Sequence, residues 1–185
     1  MSDSSGATRL AGLIQATADD DLAGVLDTLD PSDPATVQGV LAAMQTIAGE
    51  YAVPASDLLS RGEDGWTYFD LDELAGYAYP GLISGVLKMD FPTLAAPPPE
   101  DELAERLEAA GFDIDDPERR LRFFRGWMAG RASAALEALA GFLGQSGVSL
   151  DDEQREAVDE LARLPLRGAT RWRLADLLAG RPPTP

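Results

Sequence analysis

The residues best suited to bind a ligand are five arginines near the middle of the chain: Arg119, Arg120, Arg122, Arg125 and Arg131. A guanidinium group binds carboxylates and phosphates through paired hydrogen bonds. Four of these arginines fall in the first turns of a predicted helix, where the helix dipole disfavours positive charge. We expect either an anion-binding site that uses Arg119, Arg122 and Arg125, or internal ion pairs with nearby carboxylates. The acidic composition favours internal pairing, because it supplies many partners.

Carboxylates also recur at helical spacing, at Glu102 and Glu105, and at Glu153 and Glu156 beside Asp159 and Glu160. Two such helices facing inward could hold Mg²⁺ or Mn²⁺ through oxygen ligands. All-α nucleotide pyrophosphatases use helical Glu pairs in this way, but the pairs here lie far apart and lack an adjacent Lys or Arg phosphate clamp. The acids of the second group lie opposite the apolar residues Ala157 and Leu161, which indicates a solvated face. We therefore predict no metal site and no cofactor.

Aromatic residues cluster in one segment of the N-terminal half, at Trp66, Tyr68, Phe69, Tyr77 and Tyr79. Such a group either closes the hydrophobic core or presents an exposed anchor to a partner. Packing in the core is the commoner role of aromatic side chains. If the chain binds a partner, these five residues are the predicted partner-binding site, because loops often carry function.

Two residue types are absent, since the 185 residues include neither histidine nor cysteine. This excludes His-dependent triads, Cys nucleophiles, imidazole or thiolate zinc sites and disulfides. We assign no catalytic residue.

The chain is strongly acidic, with 32 Asp and Glu against 15 Lys and Arg, a formal net charge of −17. Such a charge favours a basic protein partner and disfavours nucleic acid and anionic membranes. A generally acidic amino-acid composition of the host's proteins would explain the same excess of acidic residues without any role in binding. The N-terminus has no signal-peptide pattern and no apolar run is long enough to cross a bilayer, so we expect a cytoplasmic protein. The oligomeric state is not predicted.

Apolar periodicity predicts an all-α fold, an irregular bundle of seven or eight helices around a long central helix at about 117–143. That helix is apolar on two faces and should have neighbours on both sides. An acidic N-terminal half, 1–91, and a C-terminal half, 100–181, flank a Pro-rich linker at 92–99, and we expect them to pack as one domain. Residues 66–69 suit a strand, but no strand-like run is evident to pair with them, so we predict an extended loop.

The last two predicted helices, 151–164 and 169–179, have helix-turn-helix proportions, with Arg167, Arg171 and Arg173 on or near the second. DNA reading requires a basic surface that this chain lacks, so an ordinary helical hairpin is favoured.

Two function classes remain. The first is a non-catalytic acidic protein-binding module (an inhibitor, immunity-type, antitoxin-like or adaptor protein) that docks on a more basic partner, with a DNA mimic as a special form. The alternative is a metal-dependent hydrolase of phosphorylated substrates that uses Glu and Asp ligands with the arginine cluster.

Overall fold

The computed structural model describes residues 12–13, 16, 21–51, 59–61, 67–69, 99–164 and 168–181. This part of the chain is helical except for one short two-stranded hairpin, so the predicted all-α class is confirmed. Its six helices are α1 (Leu22–Leu26), α2 (Pro34–Tyr51), α3 (Glu100–Ala109), α4 (Pro117–Gln145), α5 (Asp152–Ala162) and α6 (Gly168–Leu178). These six helices of the described ranges compare with the seven or eight predicted for the whole chain. No helix within the described ranges is both long and apolar enough to span a membrane.

A short hairpin differs from the predicted extended loop. Strand β1 (Leu59–Arg61) pairs with β2 (Thr67–Phe69) in antiparallel register, with Ser60 opposite Tyr68. Three residues are too few for a strand to display the alternation by which sequence patterns reveal it, which is why the partner of β2 was not predicted.

The long helix α4 is the central element, as the sequence pattern indicates. Asp116 precedes it in an extended conformation and its carboxylate accepts hydrogen bonds from the backbone N–H groups of Glu118, at 2.8 Å, and Arg119, at 3.4 Å. Pro117 occupies the first turn, where its missing N–H costs nothing. The helix ends at Gln145, and Gly147 follows with a φ of 62°, a conformation that favours glycine.

Four of the described helices pack against α4, namely α1, α2, α3 and α6. Its largest buried side chains, Phe123, Phe124 and Trp127, are almost inaccessible to solvent. Farther along, Leu136, Leu139 and Leu143 continue the core. A buried hydroxyl adds a polar link, since Thr170 of α6 donates to Oε1 of Glu137 at 2.7 Å. Both apolar faces predicted for this helix are buried near its start, one at Phe124 and the other at Phe123 and Trp127, whereas Ala134 farther along the second face is exposed.

An aspartate followed by a proline predicts the start of a helix, and α2 begins at such a pair. The carboxylate of Asp33 accepts a hydrogen bond from the N–H of Ala35, and Pro34 is the first helical residue. In the preceding turn, hydrogen bonds from the hydroxyl and N–H of Ser32 lower the pKa of Asp30. Val40, Met44 and Ile47 are buried, and α2 packs against both α4 and α5.

The helical hairpin predicted at the C-terminal end is present, since α5 and α6 pack against each other. Val158 and Leu161 of α5 and Leu174 and Leu177 of α6 are buried. The predicted linker falls outside the described residues except for Pro99, and the division into two halves stays a prediction.

A capping box begins α5 and supplies a stability test. The carboxylate of Asp151 accepts from the N–H of Gln154, and the side chain of Gln154 accepts from the N–H of Asp151. We predict that Asp151→Ala lowers the free energy of unfolding by about 1 kcal/mol, because the first turn loses its acceptor. The matched control is Glu156→Ala, an exposed position in the same helix with an expected change within about 0.5 kcal/mol. Urea unfolding measures both, and equal losses would contradict the capping role.

Candidate functional site

The arginine cluster lies on the first half of α4, but its members have different environments. Arg119 and Arg122 are half-buried, and neither is without an interaction partner. Arg125 is exposed. The predicted anion-binding site at these three residues therefore stays a prediction, with Arg125 the member most accessible to a ligand.

Arg120 is bound internally, as the alternative interpretation of the cluster expects. Its Nη1 donates to the carbonyl oxygens of Ile114, at 2.7 Å, and Asp115, at 3.1 Å, while Nη2 donates to Oε1 of Glu100 at 2.7 Å. The side chain is only 12% exposed, and its Nε is buried without a hydrogen-bond partner. This arginine ties the first residue of α3 and the loop before α4 to α4 itself.

Arg131 is buried as well, with 5% of its surface exposed. Its guanidinium lies 5.9 Å from the centroid of the Trp127 ring, within the range of a cation–π interaction. Trp127 in turn packs against Phe124 with ring centroids 5.7 Å apart. The far end of the cluster thus belongs to the core.

The carboxylates at helical spacing face mainly outward. Four acids of α5 are exposed, and their carboxylates have no hydrogen bond or ion pair among the described residues: Asp152, Glu153, Glu156 and Glu160. Asp159 forms an ion pair with Arg163, and Glu102 of α3 forms one with Arg106. In the described ranges, no three acidic side chains converge as metal ligands would. The metal-dependent hydrolase stays a prediction.

The five aromatic residues predicted to bind a partner lie only in part within the described residues. Trp66, Tyr77 and Tyr79 lie outside the described residues, and Tyr68 and Phe69 belong to β2. Their role as a partner anchor stays a prediction.

Trp172 is a surface residue that the sequence analysis missed. Its side chain is 77% exposed, and it is the one large hydrophobic side chain so exposed within the described ranges. Thr170 and Leu174 of the same helix are buried, and each lies two positions, about 200°, from Trp172 on a helical wheel. That phase difference was the available signal, because a residue opposite the buried stripe of a helix must face solvent.

Two shallow cavities flank the connection between α4 and α5. The larger, of about 430 Å³, is lined by residues that include Pro31, Val37 and Gln154. The smaller, of about 180 Å³, is lined in part by Arg155 and Arg181. Arg155 donates to the carbonyl oxygens of Leu150 and Leu178, and Arg181 forms an ion pair with Asp176. These two arginines therefore bind groups within the protein, at the ends of neighbouring loops and helices.

Arg120 and Arg125 offer a matched pair of stability tests. Replacing Arg120 with Gln should lower the free energy of unfolding by about 2 kcal/mol, since an ion pair and two carbonyl hydrogen bonds are lost. Arg125→Gln, an exposed change on the same helix, should alter it by less than about 0.5 kcal/mol. Denaturant unfolding compares them, and equal effects would refute the structural role of Arg120.

Two tryptophans give a second comparison. We predict that Trp127→Ala costs about 3–5 kcal/mol, because a fully buried ring leaves a cavity. Trp172→Ala should change the free energy of unfolding by less than about 0.5 kcal/mol, because its ring is largely solvated. Thermal and urea unfolding of both variants measure the difference, and a large loss for Trp172→Ala would place its ring in the core.

Comparisons with known proteins add no relationship: no family model, no curated protein and no solved structure matches the chain.

Proposed function

We propose that the protein is a non-catalytic binding module of the cytoplasm that docks on a basic protein through an acidic surface. The observation that carries the proposal is the outer face of α5, where four carboxylates are exposed and unpaired within the described part of the chain: Asp152, Glu153, Glu156 and Glu160. An inhibitor, immunity-type, antitoxin-like or adaptor protein would use such a face.

The packing of α5 supports a binding mode based on charge. Its apolar residues Val158 and Leu161 are buried in the core, so the outer face offers a partner carboxylates and little apolar surface. Opposite charges at an interface raise the rate of association and select among partners, more than they add to affinity. The complex should therefore form rapidly and weaken as salt increases.

The net charge of −17 adds to the electrostatic attraction that α5 alone exerts on a basic partner. A basic protein experiences the local carboxylates mainly at separations shorter than the Debye length, which is about 8 Å at physiological ionic strength. Nucleic acid and anionic lipid experience repulsion from the same groups. A basic protein partner is the class that this charge distribution favours.

The test compares two variants of equal net charge. The α5 variant replaces Asp152 with Asn and Glu153, Glu156 and Glu160 with Gln. The control variant replaces four exposed acids outside α5, namely Asp27, Asp113, Asp115 and Glu118, with their amides. Each variant loses four negative charges, so a difference in binding reports the position of the charge and not its total.

Immobilised wild-type protein is incubated with nuclease-treated lysate of the native host at about 0.05 M and about 0.5 M salt. We expect one basic protein to be retained at low salt and released at high salt. Titration calorimetry with that purified protein should show affinity about 10- to 100-fold lower for the α5 variant, because each lost pair contributes about 0.2–1 kcal/mol. The control variant should lose much less. Equal affinities for the two variants, or no protein retained at either salt, would contradict the proposal.

A further inference from the structure

The outer face of α6 is a second exposed surface. It differs from the outer face of α5 in carrying a tryptophan and arginines where α5 carries carboxylates. Trp172 lies at its centre, 77% exposed, and Ala169 and Ala175 beside it are also exposed. Arg171 and Arg173 lie about 100° to either side of Trp172 on the helical wheel. The face therefore consists of a broad indole ring on a stripe of small side chains, bordered on both sides by cations.

The arginines of this face retain donors for a ligand. Arg171 is exposed and uses Nη2 to bond the carbonyl oxygen of Leu164 at 3.1 Å, and its other N–H groups remain available. Arg173 is half-buried and makes no hydrogen bond or ion pair among the described residues. The acid on this helix, Asp176, is only 15% exposed and pairs with Arg181 at 3.0 Å. Its charge is thereby largely offset at the surface.

The C-terminal segment that contains α6 is positively charged, unlike the rest of the chain. Residues 165–185 contain four arginines and one aspartate, a formal +3, and residues 1–164 carry the remaining −20. A basic segment of an acidic protein complements an acidic ligand, and Trp and Arg are the residues that most often dominate binding energy at interfaces. Stripes of small residues allow another helix to approach closely.

A second copy of this chain is a poor occupant of the face. An antiparallel pair of α6 helices centred on Trp172 would set Arg171 of one copy on the same flank as Arg171 of the other, and Arg173 on the same flank as Arg173, and like charges in contact are destabilising. Each copy also brings a net charge of −17. A short acidic helix avoids the contact between arginines because it places carboxylates beside them, and a short segment need not carry a net charge as large as −17.

We propose that the outer face of α6 is a docking site for an acidic amphipathic helix of a partner protein. An apolar side chain of that helix packs on Trp172, and carboxylates on its flanks pair with Arg171 and Arg173. This is the helix-on-surface mode of recognition, in which residues at i, i+3, i+4 and i+7 provide the anchors. The site is distinct from the basic-partner surface on α5 in both residues and charge.

The probes are two synthetic peptides of about 15 residues, near the length at which an isolated helix becomes stable. Both carry leucine at i, i+3, i+4 and i+7, and they differ only in having glutamate or lysine at the flanking positions. Binding is read from the indole N–H resonance of Trp172 in a ¹H–¹⁵N correlation spectrum. The chain has three tryptophans, and Trp172→Phe assigns this signal.

We expect the glutamate peptide to shift the Trp172 resonance with a Kd below about 0.1 mM, in the range of weak specific binding. The lysine peptide should leave it unchanged. By calorimetry, Arg173→Gln should weaken binding about threefold or more, as the loss of one partly exposed pair predicts. The matched control Arg163→Gln, which removes an exposed arginine of the neighbouring helix, should leave the Kd unchanged.

Two results would overturn the proposal: no shift of the Trp172 resonance with about 1 mM glutamate peptide, a concentration far above the expected Kd, or equal Kd values for Arg173→Gln and Arg163→Gln. The outcome is independent of the basic-partner function. The α5 variant with four neutralised acids should still bind the glutamate peptide, so either surface can fail while the other is retained.

Discussion

Burial of α4 against four other described helices is the constraint on which the rest of the structure depends. Helices α2 and α6 both pack on α4, and α5 completes the arrangement by contacting α2 and α6. Phe123, Phe124 and Trp127 fill the space near the start of α4, and the smaller residues Ala132, Ala135 and Ala140 allow close packing farther along. Because these side chains belong to one rigid helix, the positions of the surrounding helices are coupled through it.

The same helix shows how an acidic chain uses its few cations. Arginines near the start of α4 would be destabilising if unmatched, because the helix dipole is positive there. Asp116 and Glu118 place negative charge in the same turn, and Glu100 neutralises Arg120 from another helix. Other arginines are also bound within the protein, Arg106 and Arg163 by carboxylates and Arg155 by carbonyl oxygens. Several of the described arginines are thus held in internal contacts, and carboxylates such as those of α5 are left without partners at the surface.

The sequence predicted local features better than relationships between distant residues. Asp33–Pro34 and Asp116–Pro117 mark the starts of α2 and α4, because capping depends on residues within one turn. The ion pair between Arg120 and Glu100 joins residues twenty positions apart, and no local pattern distinguishes Glu100 from the acids beside it. The pairing of β1 with β2 was missed for a related reason, since three-residue strands carry almost no periodic signal. Trp172 could have been recognised from its phase relative to Leu174, but a single tryptophan in a short helix was outweighed by the larger aromatic cluster around Trp66.

The hairpin of α5 and α6 shows why neighbouring helices can present surfaces of opposite character. Each helix gives its inner face to the core, through Val158 and Leu161 on α5 and Leu174 and Leu177 on α6. Arg155 bonds the carbonyl oxygen of Leu178, so a side chain of α5 also fixes the end of α6. With the inner faces and the ends held in this way, exposed residues on the outer faces contribute little to stability. The identities of the outer residues are then free to differ between the helices: carboxylates on one, and a tryptophan between two arginines on the other. A single exposed tryptophan is ordinary on a protein surface, and it is the flanking charge, opposite in sign to the rest of the chain, that distinguishes Trp172 from a chance exposure.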